Sequence, residues 1–186
     1  MRKENINVGN LMVQSLGAIA IHLVFAALAI AVLYLVSNDP SYVAGVPVEE
    51  ANRTGNQDIL TYALEDGFAI LLNWIVLAFA VSAVASLLFI GFTASLSPQI
   101  EEDARSRKPL WSGLLIILLV VAAVLWWVYV ISAGISDQLV SNSYVLTGAV
   151  GGLFLLLAYY CATAICVKAT MQRSVPLSAV MPSLGK

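Results

Sequence analysis

The residues best suited to chemistry are few, and the most distinctive is a single histidine. His22 lies near the middle of an apolar stretch, and its helical face carries small residues: Ser15, Ala18, Ala26 and Ala29. An imidazole there could relay protons or ligate a cofactor. The sequence offers no second histidine for bis-histidine haem and no carboxylate inside an apolar segment. We therefore expect a neutral imidazole that is hydrogen-bonded to a neighbouring helix.

Two cysteines are the other candidates for reactive groups. Cys161 and Cys166 are five residues apart, which separates them by about 140° around a helix and makes a disulfide between them geometrically poor. Disulfide-forming quinone oxidoreductases of similar length need cysteine pairs in their outer loops, and every loop of this sequence lacks cysteine. That class of enzyme is excluded.

Sequence motifs for catalysis are absent from the chain. It contains no phosphate-binding glycine loop, no HExxH, no CxxC and no G-x-S-x-G. We predict no catalytic residue, no metal site and no cofactor, and we expect that the protein is not an enzyme.

Small and polar residues recur at helical spacing in two of the apolar segments. Ala78, Ser82 and Ser86 follow one another at four-residue steps, with Asn73 further up the same segment. Small residues at this spacing let helix backbones approach closely in lipid. We predict that helix packing or partner contact is mediated by His22, Asn73, Ala78, Ser82, Ser86, Gly148, Gly152, Tyr159 and Thr163. We also expect Tyr159 or Tyr160 to donate its hydroxyl across a helix contact.

The composition excludes an ordinary soluble domain. The chain is 60% apolar and 11% charged, whereas soluble domains carry about 25% charged residues. Its apolar segments predict an all-α membrane protein, a single polytopic domain over residues 1–186 with four antiparallel transmembrane helices. The spans are expected at about 11–36, 67–95, 109–134 and 144–167.

Polar segments connect these spans. The first outer loop, residues 37–66, is acidic and is predicted to hold a short amphipathic helix at 56–64. A charged hairpin covers 96–108, a short polar turn covers 136–143, and a basic tail covers 168–186. Glu101, Glu102 and Asp103 in the hairpin form a possible cytosolic docking site.

The distribution of basic residues predicts the orientation. Eight of the nine Lys and Arg residues fall on one side of the predicted spans, and only Arg53 falls on the other. Short loops rich in Lys and Arg stay in the cytoplasm. Both termini are therefore predicted to be cytoplasmic, in what we expect to be a bacterial inner membrane.

The function expected from these features is that of a non-catalytic membrane subunit. Such a subunit would pack into and scaffold a larger inner-membrane complex for transport, secretion or energy transduction. Its partners would be the lipid bilayer and other integral membrane subunits or copies of itself. Nucleic acid is excluded because the net charge is −2 and no basic stripe exists. The alternative is a small homo-oligomeric transporter or channel with a path near His22, Asn73 and Ser82.

Overall fold

The computed structural model describes residues 2–3, 7–37, 57–94, 96–97, 104–132, 138–178 and 183. Four long helices dominate: α1 (Val8–Ser37), α2 (Gln57–Ala94), α3 (Lys108–Ser132) and α4 (Gln138–Cys166). A two-stranded antiparallel pair, β1 (Arg2–Lys3) and β2 (Leu96–Ser97), and a 3-10 helix (Ala169–Ser174) accompany them. All four long helices contain segments long and apolar enough to cross a bilayer. The prediction of an integral, multi-pass, helical membrane protein is confirmed.

The helix ends follow local capping. Asn7 caps α1, because its carbonyl oxygen accepts from Leu11 N (3.0 Å) and its side-chain Oδ1 accepts from Asn10 N (3.2 Å). This cap starts α1 three residues before the predicted position. Thr93 Oγ1 bonds back to Phe89 O at 2.8 Å just before α2 ends.

Two helices begin well before the positions expected from hydropathy. The residues predicted to form a separate amphipathic helix at 56–64 belong, from Gln57 onward, to α2 itself, which is 38 residues long. No proline interrupts Gln57–Ala94. Gly67, at the start of the predicted second span, weakens a helix by only about 1 kcal/mol and does not end it. Similarly, α4 begins at Gln138, inside the predicted turn. Polar residues lower hydropathy without breaking a helix.

The chain divides into two compact units, and both contain segments of all four long helices. The first unit comprises Met1–Phe25, Phe79–Val120 and Leu155–Lys186. A buried cluster in it consists of Ala18, Ile90, Ala162 and Cys166, with Leu11, Ile21, Leu87 and Ile165 packed around them. Small residues from α1 and α4 allow these helices to pack closely beside Ile90 of α2.

The second unit comprises Ala26–Ala78 and Val121–Phe154, and it is packed around tryptophan. The Trp74 ring lies against Gly151, and its Nε1 donates to Ala122 O of α3 at 3.0 Å. The Trp126 ring of α3 lies against Gly148 of α4 in the same way. Each indole therefore occupies space that a side chain on α4 would otherwise fill.

Residues 168–178, at the start of the predicted basic tail, fold into a cap that follows α4. Gln172 Nε2 donates to Ala164 O at 3.1 Å, and Ser183 Oγ donates to Val167 O at 2.8 Å. Ala164 O is one of the last four carbonyls of α4, which lack an intrahelical partner, and Val167 directly follows the helix. Met171 and Ser174 of the 3-10 helix are fully buried.

This cap ends in a turn with an unusual backbone. Leu177 has a φ of 58°, the one positive φ of a non-glycine residue in the described segments. A left-handed conformation costs such a residue on the order of 1–3 kcal/mol. Ser178 fixes the turn, because its hydroxyl bonds to Gln172 O and Val175 O.

The glycine contacts in the second unit predict a difference between neighbouring positions. An added Cβ at Gly151 would lie 2.6 Å from Trp74 Cζ3, whereas at Gly152 no heavy atom of the described residues lies within 4 Å. We expect Gly151→Ala to lower the free energy of unfolding by about 1–3 kcal/mol. Gly152→Ala is the matched control and should leave it unchanged or raise it by up to about 1 kcal/mol, because alanine favours a helix more than glycine does. Denaturant titration in mixed micelles measures both, and equal effects would contradict the tight Trp74–Gly151 contact.

Candidate functional site

The first unit contains a buried polar cluster centred on His22. Its Nδ1 lies 2.8 Å from Ala18 O, and its Nε2 lies 2.9 Å from Ser82 Oγ and 3.5 Å from Ser86 Oγ. All three side chains are buried. Ala18 and His22 are one turn apart on α1, and Ser82 and Ser86 are one turn apart on α2, so the imidazole bridges the two helices.

Hydrogen-bond chemistry assigns the tautomer of this imidazole. A carbonyl oxygen can only accept, so His22 Nδ1 carries the proton that is donated to Ala18 O. In the neutral ring, Nε2 then has a lone pair and accepts the hydroxyl proton of Ser82. The expectation of a histidine bonded to a neighbouring helix matches this geometry.

The Ser82–His22 pair also has the distances of a nucleophile beside a base. A catalytic pair of this kind needs a base held in a fixed orientation and a route for the substrate to the hydroxyl. The hydrogen bond to Ala18 O orients the imidazole of His22. Ser82 has 0% exposure in the structure. The hydrogen bond between His22 and Ser82 joins α1 to α2, and we call this pair the His22 clamp.

A second polar contact in the first unit joins α3 to α4. Trp111 Nε1 donates to Thr163 Oγ1 at 2.8 Å, and the Tyr159 hydroxyl donates back to Trp111 O at 3.2 Å. The Thr163 hydroxyl in turn donates a hydrogen bond to Tyr159 O at 2.8 Å. The Trp111 and Tyr159 rings are 5.4 Å apart and tilted by 38°, a favourable aromatic arrangement. We call Trp111, Tyr159 and Thr163 the α3–α4 clasp.

Most of the residues predicted from sequence to form helix contacts are buried. Ala78, Ser82, Ser86, Tyr159 and Thr163 have 0% exposure, and His22 has 4%. Gly148 contacts Trp126, whereas Gly152 is half-buried and its Cα faces open space among the described residues.

Asn73 lies apart from this buried set, because its side chain is exposed. It is nine residues from Ser82 on α2, which is about 180° around a helix. The structure brings His22 and Ser82 together in the first unit, whereas Asn73 belongs to the second unit and its side chain is exposed there. Glu101, Glu102 and Asp103, the predicted docking residues, lie outside the described residues.

Several contact residues were not found from sequence. The sequence pattern does not single out Trp74, Trp111 or Gly151. A tryptophan near the end of a span is also typical of the membrane interface, and its contact with a glycine on another helix is visible only in the structure. Gln14 was overlooked as well. It is 1% exposed, and its Nε2 has no hydrogen-bond partner in the part of the chain that the structure describes. Its four-residue spacing to Ala18, and from there to His22, was the available signal.

Other chemistry-bearing side chains do not converge. Within the described segments, no group of three His, Cys, Asp or Glu side chains is placed to hold a metal ion. Cys166 is buried, Cys161 is half-buried, and both are free thiols.

Comparison with protein-family models, with curated proteins and with solved structures found no match to this chain.

The His22 clamp predicts energetic coupling between α1 and α2. Ser82→Ala should lower the free energy of unfolding by about 0.6–1.7 kcal/mol, the range for hydrogen bonds between membrane helices. His22→Ala and Ser82→Ala should be non-additive in a double-mutant cycle, because each change removes the same bond. Nitrogen-15 NMR of the imidazole should show the Nδ1-protonated form. Full additivity, or the other tautomer, would contradict the clamp.

The α3–α4 clasp predicts that two adjacent tyrosines differ. Tyr159→Phe removes the hydrogen bond to Trp111 O and should cost about 1 kcal/mol of stability. Tyr160→Phe is the control, because the structure shows no hydrogen bond from the Tyr160 hydroxyl within the described residues. It should change stability by less than about 0.5 kcal/mol. Thermal unfolding of both variants in detergent compares them.

Proposed function

We propose that the protein is a non-catalytic integral membrane subunit that packs into and scaffolds a larger inner-membrane complex. In this proposal the four helices run antiparallel, both termini are cytoplasmic, and the protein is not an enzyme. Its partners are the bilayer and other integral membrane subunits or further copies of itself.

One observation carries this proposal: three buried polar side chains, one each on α1, α2 and α3, join the chain's own helices. His22 bonds to Ser82, Trp111 bonds to Thr163, and Trp74 bonds to Ala122 O. These groups are used in holding the bundle. Large apolar side chains cover the exposed faces of α1 and α3, among them Leu16, Leu23, Ile116, Ile117, Val120 and Val124. Such faces suit contact with lipid or with other membrane helices.

The placement of basic residues supports the proposed orientation. Of the nine Lys and Arg residues, Arg53 and Lys186 lie outside the described residues, and the other seven all belong to the first unit. In that unit β1 pairs with β2, and β2 contacts the 3-10 helix after α4. The basic segments next to β1, β2 and the 3-10 helix are those expected to remain in the cytoplasm.

The subunit proposal is tested by extraction and by reconstitution. The tagged native protein, extracted in a mild detergent, should co-purify with a fixed set of integral membrane proteins in constant ratio. The protein alone in liposomes should pass no ion or solute above the level of empty vesicles. Robust flux through the protein alone would overturn the proposal.

A small homo-oligomeric transporter or channel is the second candidate, and the buried His22–Ser82 pair favours it. That path would run near His22, Asn73 and Ser82. If it exists, His22→Ala should alter flux in liposomes while the oligomer remains assembled. Unchanged flux after His22→Ala would remove this candidate.

A further inference from the structure

The turn at residues 175–178, which we call the tip turn, combines strain with exposure. Leu177 holds a positive φ and is 88% exposed, the highest exposure given for any large apolar side chain of the described residues. Glycine would adopt this backbone without strain. A leucine therefore keeps an unfavourable backbone and an unfavourable exposure to water at one position.

Buried residues and a hydrogen bond hold the tip turn in its conformation. Val175 and Ser178 on either side of Leu177 are 1% exposed, and the Ser178 hydroxyl bonds to Val175 O at 2.8 Å. Leu177 is therefore an exposed side chain between two buried residues. Its side chain is accessible for contact with lipid or with another molecule.

The tip turn lies in a segment that is bonded back to the end of a membrane span. The fourth span ends at Cys166. Gln172 reaches back to Ala164 O, inside that span, and Ser183 bonds to Val167 O. The chain on both sides of Leu177 is thereby tied to the last turn of α4. At this level, the medium around an exposed side chain is the boundary between lipid headgroups and acyl chains.

The charge of the same segment matches lipid headgroups. Residues 167–186 contain Lys168, Arg173 and Lys186 and no acidic residue. Arg173 is exposed four residues before Leu177. An apolar side chain beside basic ones is the combination that binds the anionic surface of a cytoplasmic leaflet.

We propose that the tip turn is a lipid anchor, in which Leu177 inserts at the headgroup–acyl boundary and the net positive charge of its segment favours an anionic leaflet. The anchor fixes the cap of α4 against the membrane surface. It rests on the membrane insertion of the helices and on the proposed cytoplasmic side of the C-terminus. It does not rest on the proposed subunit role, so the two can fail separately.

Site-directed fluorescence tests the anchor directly. In a Cys161→Ala, Cys166→Ala background, a bimane label is placed at Leu177→Cys in vesicles of phosphatidylcholine and phosphatidylglycerol. Exposed Val120 of the third span, labelled likewise, gives the deep-lipid reference, and bimane-labelled glutathione in the buffer gives the aqueous reference. The label at 177 should be quenched by headgroup-level lipid nitroxide more strongly than the label at 120, and by aqueous iodide less strongly than the glutathione conjugate. Iodide quenching equal to that of the glutathione conjugate would overturn the anchor.

A second experiment leaves the native cysteines in place and separates anchoring from strain. Leu177→Gly should shift the unfolding midpoint in detergent upward, because the backbone strain is relieved. In vesicles the same variant should be cut faster by trypsin after Arg173, because the apolar contact with lipid is lost. If Leu177→Gly slowed or left unchanged the cleavage in vesicles, the side chain would have no lipid contact. Shielding of the 177 label in native membranes but not in pure lipid vesicles would indicate a protein partner and would also overturn the proposal.

Discussion

The constraint on which this structure depends is the absence of water from the hydrocarbon core. A polar group that is buried there must find its hydrogen-bond partner within the protein. His22, Trp111 and Trp74 each meet this demand by bonding to a different helix from their own. The contacts are individually modest, at about 0.6 kcal/mol on average in membranes. They are directional, however, and so they select one helix register among many that would bury similar apolar area.

The fit of tryptophan rings against glycines adds a second preference for particular helix pairs, beside the hydrogen bonds. Apolar burial gives little preference for one helix pair over another in lipid, because lipid tails are as apolar as leucine. In the second unit, the Trp74 ring therefore packs where Gly151 has no side chain, and the Trp126 ring does the same at Gly148. Close atomic contact over a large ring provides dispersion energy that a lipid chain matches poorly. The same ring of Trp74 donates to Ala122 O, so packing and hydrogen bonding fix one geometry.

The sequence was sufficient for the helical class and the four spans, because hydropathy over about 20 residues reports the bilayer itself. It was insufficient for helix ends: Gln57 and Gln138 begin helices in polar stretches that hydropathy assigns to loops. The burial of His22 followed from its small neighbours, but its partner is a tertiary property, and Ser82 was grouped with other small residues. Asn73 could have been separated from Ser82 by helical angle alone.

The end of α4 shows how the same constraint operates at the membrane boundary. A helix that ends in water leaves its last carbonyls to the solvent, whereas one that ends near lipid needs protein donors. The cap supplies them from Gln172 and Ser183. Folding the chain back to do so requires a tight turn, and the turn places Leu177 in the left-handed region. Glycine would satisfy the backbone at that position, and the lipid anchor proposed above is a function that the leucine side chain could serve and glycine could not.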